Sequence, residues 1–342
     1  MAAARLDVTR EQILAFRRRV GALDERLPRG RRSLRQAAWA GLQDSMPRAA
    51  AFSIHARVDA TEPGTWEDPS LVQLWGPRFS AYVVAARDLA VFSLGRLSDD
   101  PGRRRVAEDL AARLRDLLDG RRMPYGQAGR ALGMNPNQLR YAATTGTVVM
   151  RWDGARPPIV WTVPPPEVDP RDARLELARR YLHVFGPSTP EAFAVWAGIR
   201  SPRLRGVAVF EALGRSLIPV KTPIGEAWIL SHDEPVLRAA PGPVAPARLL
   251  PSGDAYFLLQ GDDREILVPD AACRRSLWTP RVWPGAVLVK GEIVGTWRRA
   301  HDRVAISTWR RLSREERRVV EAEAASLPVP GVNGQMVVRW DD

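Results

Sequence analysis

The chain has one cysteine, Cys273, in 342 residues, which excludes an intrachain disulfide and any cysteine-based zinc cluster. Histidine is almost as scarce. His55, His183, His232 and His301 are scattered, with no metal-ligand spacing in the sequence. No apolar run reaches the roughly 18 residues that a membrane span needs. The opening MAAARLDVTREQ lacks the apolar stretch of a secretory signal. The simplest expectation is a soluble, cytoplasmic protein without metal, cofactor or membrane. Lysine is nearly missing as well, at Lys221 and Lys290 only, so arginine carries the positive charge. A high-GC genome produces that bias, and it is not read as function.

What is present is ordinary globular material, 45% hydrophobic and 26% charged, which argues against disorder. The length predicts two or three modules of about 100–150 residues. Net charge is +12, which favours a polyanionic partner: nucleic acid first, an anionic membrane surface second. Half of that surplus lies in the first forty residues, with ten arginines against four acids. Arg17, Arg18, Arg19, Arg29, Arg31, Arg32 and Arg35 form the densest basic run. It reads either as a solvated face or as a phosphate-contacting surface.

The order of elements is informative. RRRVAEDLAARLRDLLDG has apolar residues at Val106, Leu110, Leu114 and Leu117 or Leu118, closed by Gly120. PYGQAGRALG and NPNQLRYAATTG predict two shorter helices, the second capped by Asn135 ahead of Pro136. TVVMRW, DGARPP and IVWTVP then read as a hairpin. Three helices followed by a hairpin is the winged-helix order, in which the hairpin is the wing. Residues 170–231 repeat it: ARLELARRYLHVFG, STPEAFAVWAG and SPRLRGVAVFEALG, then SLIPVKTPIGEAWILS. PPPEVDP links the two units. After a second proline-rich connection, LLPSGDAYFLL, EILVP, AVLVK, GEIVGTWRRA and RVAISTWRR read as strands. SREERRVVEAEAASL closes as a helix with Ser313 and Glu316 at capping-box spacing. VNGQMVVRWDD offers one more strand. Residues 9–58 read as a further helical, helix-turn-helix-like stretch. The expected division is 1–102, a helical region; 103–164 and 170–235, two winged-helix modules; and 246–342, a β-rich module with its closing helix.

GLQDSMPRAA and HARV, LVQLWGPRFSAYVV, RYLHVFGPSTPEAFAVWAGI, LLPSGDAYFLL and VLVKGEIVGTWRR, in that order, resemble the bacterial winged-helix DNA-binding-domain-containing family. That family includes DNA glycosylases that excise alkylated purines and unhook interstrand crosslinks. The resemblance covers roughly 9–327, and its specificity lies in the order and spacing of these stretches. It implies an α+β fold with three tandem winged helix-turn-helix modules and a β-rich C-terminal portion around a concave basic channel. It also implies duplex DNA as partner, a monomer at the nucleoid and no cofactor. In the glycosylase members catalysis rests on a glutamine, a hydrophobic residue, and a second glutamine or an aspartate. Gln43 fits that pattern. Asp44 stands where a hydrophobic residue is expected, and Ser45 replaces the third residue.

The residues themselves leave two readings of this segment open. Asp44 or Ser45 ahead of PRAAAFSIHARV is good N-cap chemistry. Alternatively, Gln43 and Ser45 converge on a substrate, with Asp44 assisting catalysis electrostatically. Pro47 disfavours helix at Met46, and in extended chain i and i+2 share a face while Asp44 points away. Arg48, His55, Arg298 and Arg299 join Arg17, Arg18, Arg31, Arg32 and Arg35 as candidate DNA contacts, His55 also reading as a structural histidine. Trp39, Trp66 and Trp75 read as core or as base-stacking groups. Asp254 and Tyr256 read as structural. Arg140, Arg203 and Arg205 lie on the third helices. A non-catalytic DNA-binding regulator is the competing reading of the whole chain.

Overall fold

The computed structural model describes residues 6–199, 202–331 and 336–341. The first stretch holds β1 (Leu6–Asp7), α1 (Arg10–Val20), α2 (Arg31–Ala37), β2 (Leu42–Gln43), α3 (Ala49–His55), β3 (Leu71–Trp75), β4 (Ala81–Ala85) and α4 (Leu89–Leu94). The next holds α5 (Pro101–Leu118), β5 (Met123–Pro124), α6 (Tyr125–Ala131), α7 (Leu139–Ala142), β6 (Val148–Arg151) and β7 (Ile159–Thr162). Then come α8 (Pro170–Phe185), α9 (Pro190–Ala197), α10 (Pro202–Leu213), β8 (Leu217–Thr222), β9 (Gly225–Leu230) and α11 (Glu234–Arg238). The last stretch is β10 (Ala247–Leu250), α12 (Asp263–Leu267), α13 (Ala271–Leu277), β11 (Gly285–Val289), β12 (Glu292–Ala300), β13 (Arg303–Thr308), α14 (Arg314–Ala325) and β14 (Val337–Asp341).

Local chemistry explains where the helices begin. Asp100, Asp169 and Thr189 each accept a backbone N–H from the turn that follows. Each precedes a proline, whose missing N–H has no partner to lose at the first helical position. α14 starts with the reciprocal pair of a capping box: Glu316 N–H donates to Ser313 Oγ, and Ser313 N–H donates to the Glu316 carboxylate.

Among the described residues there are three sheets. The first has the order β1-β8-β9, the second β2-β4-β3-β6-β7-β5 and the third β10-β11-β12-β13-β14. The second runs across residue 102, because Gln73 of β3 lies opposite Met150 of β6. The first joins the start of the chain to the third stretch, with Leu6 beside Val220 in parallel pairing. The largest apolar core is shared in the same way: Phe16, Phe92, Phe193, Trp196, Phe257 and Leu288 belong to one cluster. α5, α6, α7, β6 and β7 pack around a separate core that includes Leu114, Leu139 and Val160. β10 to β14 close on α14 through Leu249, Val304 and Val320. No described helix is long and apolar enough to cross a membrane.

Several local expectations are corrected. Residues 1–102 are not purely helical, since LVQLW and AYVVA form the β3–β4 hairpin. Buried strands read as continuous apolar runs without two-residue alternation, so periodicity does not reveal them. EILVP is not a strand; its Glu265, Ile266 and Leu267 lie in α12, with both apolar residues buried. In LLPSGDAYFLL the chain leaves β10 after Leu250 and turns at Asp254, which accepts the N–H of Tyr256. Val106 is exposed, while Leu110, Leu114 and Leu118 are buried beneath α5.

Candidate active site

The segment GLQDS leaves α2 through Gly41, at φ +73, where a Cβ would meet the Tyr82 ring at 2.9 Å. Only glycine turns the chain there. β2 then pairs antiparallel with β4, with Leu42 opposite Val83 and Gln43 opposite Tyr82. Asp44 N–H extends the pairing to the Ala81 carbonyl at 2.7 Å. Extended backbone sends neighbouring side chains to opposite sides. Asp44 is accordingly buried, Gln43 half-buried and Ser45 exposed.

Asp44 has an architectural task. Its Oδ1 accepts the Ala50 N–H at 2.9 Å in the first turn of α3, and its Oδ2 accepts the Gln73 side-chain amide at 2.6 Å. Gln73 is buried on β3 and accepts the Trp152 N–H through its own Oε1. Burial raises the Asp44 carboxyl to about 7, and the donors Ala50 and Gln73, with the Arg48 charge, oppose that rise. The helix-cap reading fits Asp44. Asp44 caps α3 and ties β2 to β3, and both of its oxygens are turned away from solvent. The expectation that it assists catalysis directly is corrected.

Gln43 is held differently. Arg78 Nη2 donates to its Oε1 at 3.1 Å. Gly253 passes against the same amide so closely that a Cβ would lie 3.1 Å from Gln43 Cδ. Arg78 sits in the short loop between β3 and β4 with φ 54, and Phe79 follows with φ 56. Left-handed backbone at two bulky residues stores strain on the order of 1 kcal/mol or more each. Gly198, just past α9, lets the chain press on that loop, because a Cβ there would lie 3.0 Å from the Arg78 nitrogen. Arg78 is the site residue that sequence reasoning misses. Its signal, a Gly-Pro-Arg turn between two apolar runs, becomes visible only once those runs are read as strands.

The loop 251–256 that carries Gly253 is fastened to α3 from below. Arg57 donates two hydrogen bonds to the Asp254 carboxylate, both at 2.7 Å, and Ser53 Oγ donates a third at 2.7 Å. Asp254 and Tyr256 are buried, in keeping with a structural role. Beside this anchor opens a cleft of about 270 Å³ lined by Met46, Pro47, Phe52, Ser252, Trp297 and Arg299, among others. Pro47 also touches the turn between β6 and β7, where a Cβ on Gly154 would lie 2.7 Å from it. Ser45 directly precedes the lining residue Met46, and neither Gln43 nor Ser45 lines the cleft. A larger cleft, about 480 Å³, opens at Phe79, where Phe79 and Tyr141 meet edge to face with ring centres 5.1 Å apart.

The basic candidates separate sharply. Arg298 is exposed and Arg299 half-buried, both lining the cleft, and the half-buried Arg48 lies between its lining residues Pro47 and Ala49. The Arg299 guanidinium is pulled below its ordinary pKa, first by burial and then by the Arg48 charge, so two like charges are held close. Arg264 is lowered in the same way by burial and by Arg78. Arg31 and Arg32 are exposed at the start of α2, whereas Arg35 leans on Asp88 at 3.7 Å and on the Trp39 ring. Arg29 reaches Glu62, and Arg19 donates to the carbonyls of Val236 and Ala240.

Arg17 and Arg18 are corrected as phosphate contacts, because α1 turns them inward. Arg17 is 2% exposed and donates to the carbonyls of Gly186 and Pro187. Arg18 is buried against Asp24 and the Gly291 carbonyl. His55 is corrected too. It is buried between Thr61, Ser326 and Arg26, and burial, with the Arg26 and Arg248 charges, lowers it to about 3, so it is neutral. Trp75 is core, while Trp39 and Trp66 lie under arginines, Trp39 with Arg180 at 3.9 Å. Arg140 is half-buried and Arg205 sits 3.8 Å from Asp99. The Arg203 side chain lies outside the described residues.

Comparison with known proteins bears on this geometry. A search of curated proteins finds no match. Among solved structures, the DNA glycosylase AlkZ of Streptomyces sahachiroi superposes with a TM-score of 0.79 at 20% identity, covering 98% of this chain and 100% of its own. At that identity the likeness establishes the shared fold. The family model described as DNA glycosylase AlkZ-like matches residues 36–328, a span that takes in Gln43, Arg78, the 251–256 loop and α14. This chain therefore belongs to the AlkZ-like DNA glycosylase family.

Proposed function

We propose that the protein is a monofunctional DNA N-glycosylase for cationic, alkylated purines, with Gln43 as the group that holds the attacking water. The observation that carries this reading is the fixed outward amide of Gln43, braced by Arg78 and Gly253 while its neighbour Asp44 is turned inside. A glutamine carbonyl has two lone pairs. Arg78 occupies one, and the other is left for a water. In the reaction the bond between sugar C1′ and the base nitrogen breaks, and the base leaves with the bonding pair. The water oxygen then bonds to C1′ and its proton passes to solvent. An amide does not take that proton as a base, and the exposed Ser45 hydroxyl adds only a second hydrogen bond to the water. Neither outward residue of this segment, Gln43 or Ser45, carries a carboxyl to protonate a leaving base. Bases already carrying a positive charge, as N3- or N7-alkylpurines do, leave without that help.

Positive charge on the sugar is opposed by Arg78, so the site needs a polyanion to neutralise its arginines. Duplex DNA supplies it. Arg48 beside Arg299 and Arg78 beside Arg264 are like-charge pairs that a phosphate between or near them relieves. Arg31, Arg32 and Arg298 extend this surface. In the same reading, residues 1–102, 103–164 and 170–235 are three winged-helix-type modules, each with helices ahead of a hairpin. With the β-rich 246–342 they form a monomer around a basic channel, acting in the cytoplasm at the nucleoid.

The test is base release from duplex DNA carrying N7-alkylguanine. Gln43→Ala is expected to slow release by about 100-fold, the effect of losing one placed polar group at a developing charge, with duplex affinity retained. Ser45→Ala is expected to slow it less than about tenfold. Wild-type protein that binds the duplex and releases no base would refute the enzymatic reading and leave a non-catalytic DNA-binding protein, to which the serine at 45 would then be suited.

A further inference from the structure

Two of the four histidines that stand apart in the sequence meet in space. His183 lies in the last turn of α8, and His232 and Asp233 lie in the short turn Ser231–Asp233 that follows β9. His183 Nδ1 is 2.9 Å from Asp233 Oδ1 and 3.0 Å from Oδ2. His232 Nε2 is 3.6 Å from Asp233 Oδ1. One donor atom from each of the three residues lies within 4.8 Å of the others. The two imidazole rings are inclined at 29°, with centres 6.3 Å apart.

We propose that His183, His232 and Asp233 form a binding site for a borderline divalent transition-metal ion of the zinc, cobalt or nickel kind. Two imidazoles and one carboxylate are the donor set such ions prefer over magnesium or calcium, which take oxygen ligands. A tetrahedral ion with ligands at about 2.0–2.1 Å sets neighbouring donor atoms about 3.3 Å apart. The distances of 2.9 and 3.6 Å bracket that edge. The Asp233 carboxylate is almost wholly buried, yet both of its oxygens lean on the same imidazole nitrogen, so acceptor capacity remains. Access is open, since the His232 side chain is 66% exposed. The end of α8 contributes in the same sense, because the last carbonyls of a helix carry partial negative charge. The nearby cation on α8, Arg180, is paired with Asp88 and Glu176 and stacked on Trp39, whose ring edge also packs against His183. An ion here would join the end of α8 to the turn before α11, in a part of the fold remote in sequence from Gln43. The proposal does not rest on the glycosylase reading.

The experiment is titration of the tag-free full chain, stripped with chelator, with Zn2+ alone by calorimetry and with Co2+ alone by visible absorption. One equivalent is expected to bind, with the d–d absorption of a low-coordinate cobalt site. His232→Ala and Asp233→Asn are each expected to weaken binding by at least about tenfold. His301→Ala is expected to leave it unchanged. Zn2+ is expected to raise the Tm of the wild type and not that of His232→Ala, whose exposed side chain takes no part in the core. Absence of binding at micromolar metal would overturn the proposal, as would binding that survives both His232→Ala and Asp233→Asn.

Discussion

The seam between α3 and the loop 251–256 has two faces built on opposite rules. On the inner face, Arg57 meets Asp254 and Ser53, each no more than 3% exposed, and opposite charges are matched at 2.7 Å. On the outer face, Arg48, Arg298 and Arg299 gather at a cleft with no carboxylate among its described lining residues. The inner arrangement is complete without a partner. The outer one raises the protein's own electrostatic energy and becomes favourable when an anion arrives. Both faces carry arginine, so what separates them is the presence of the matching acid.

Three experiments press on that contrast. The largest effect is expected inside. Asp254→Ala strands the buried Arg57 guanidinium and is expected to cost about 3–5 kcal/mol of stability, measured by urea unfolding. A loss below about 1 kcal/mol would mean that the seam does not depend on the pair.

Asp44→Ala is next, at about 1–3 kcal/mol, because it leaves the Ala50 N–H and the Gln73 amide without their acceptor. Its pH dependence has a definite sign. The folded carboxyl, raised to about 7, holds a proton that the unfolded chain loses near pH 4. The wild type's stability from this group is therefore fully present below about pH 4 and declines as pH rises toward 7. The gap between wild type and Asp44→Ala should narrow over that window; a gap that widens instead would show that the carboxylate is favoured in the fold.

The smallest effect belongs to the surface. The double variant Arg31→Ala, Arg32→Ala should leave the Tm unchanged and lower the salt slope of duplex binding by about 1 for each phosphate that is no longer neutralised. Arg17→Ala should do the reverse, lowering Tm and leaving the slope alone. Identical behaviour of the two variants would erase the distinction between inward and outward arginines.

The pattern of what could be read in advance follows the range of the forces involved. Caps are local, so Asn135 ahead of Pro136 and the Ser313–Glu316 box stand in the sequence as they stand in the fold. The hairpins β6–β7 and β8–β9 are equally local. EILVP is too short for periodicity to separate a strand from a buried turn of helix. Arg17 and Arg31 look alike in a charge run, and only the packing of α1 against the chain near Gly186 tells them apart. At the site, alternation along extended chain makes the inward turn of Asp44, between half-buried Gln43 and exposed Ser45, legible. Arg78 and Gly253 come from distant stretches. So does Gln73, which makes a polar residue tolerable at the inward position 44.

The pairing of β1 with β8 has a consequence for biosynthesis. Leu6 is made long before its partner Val220, with more than two hundred residues translated between them. Antiparallel neighbours such as β6 and β7 can close as soon as their turn appears, but β1 must wait for a partner from the far side of two intervening helical units. The opening strand is therefore a latch set late, and α1, which follows it and shares a core with Phe193 and Trp196, completes its packing only when the nascent chain has supplied them.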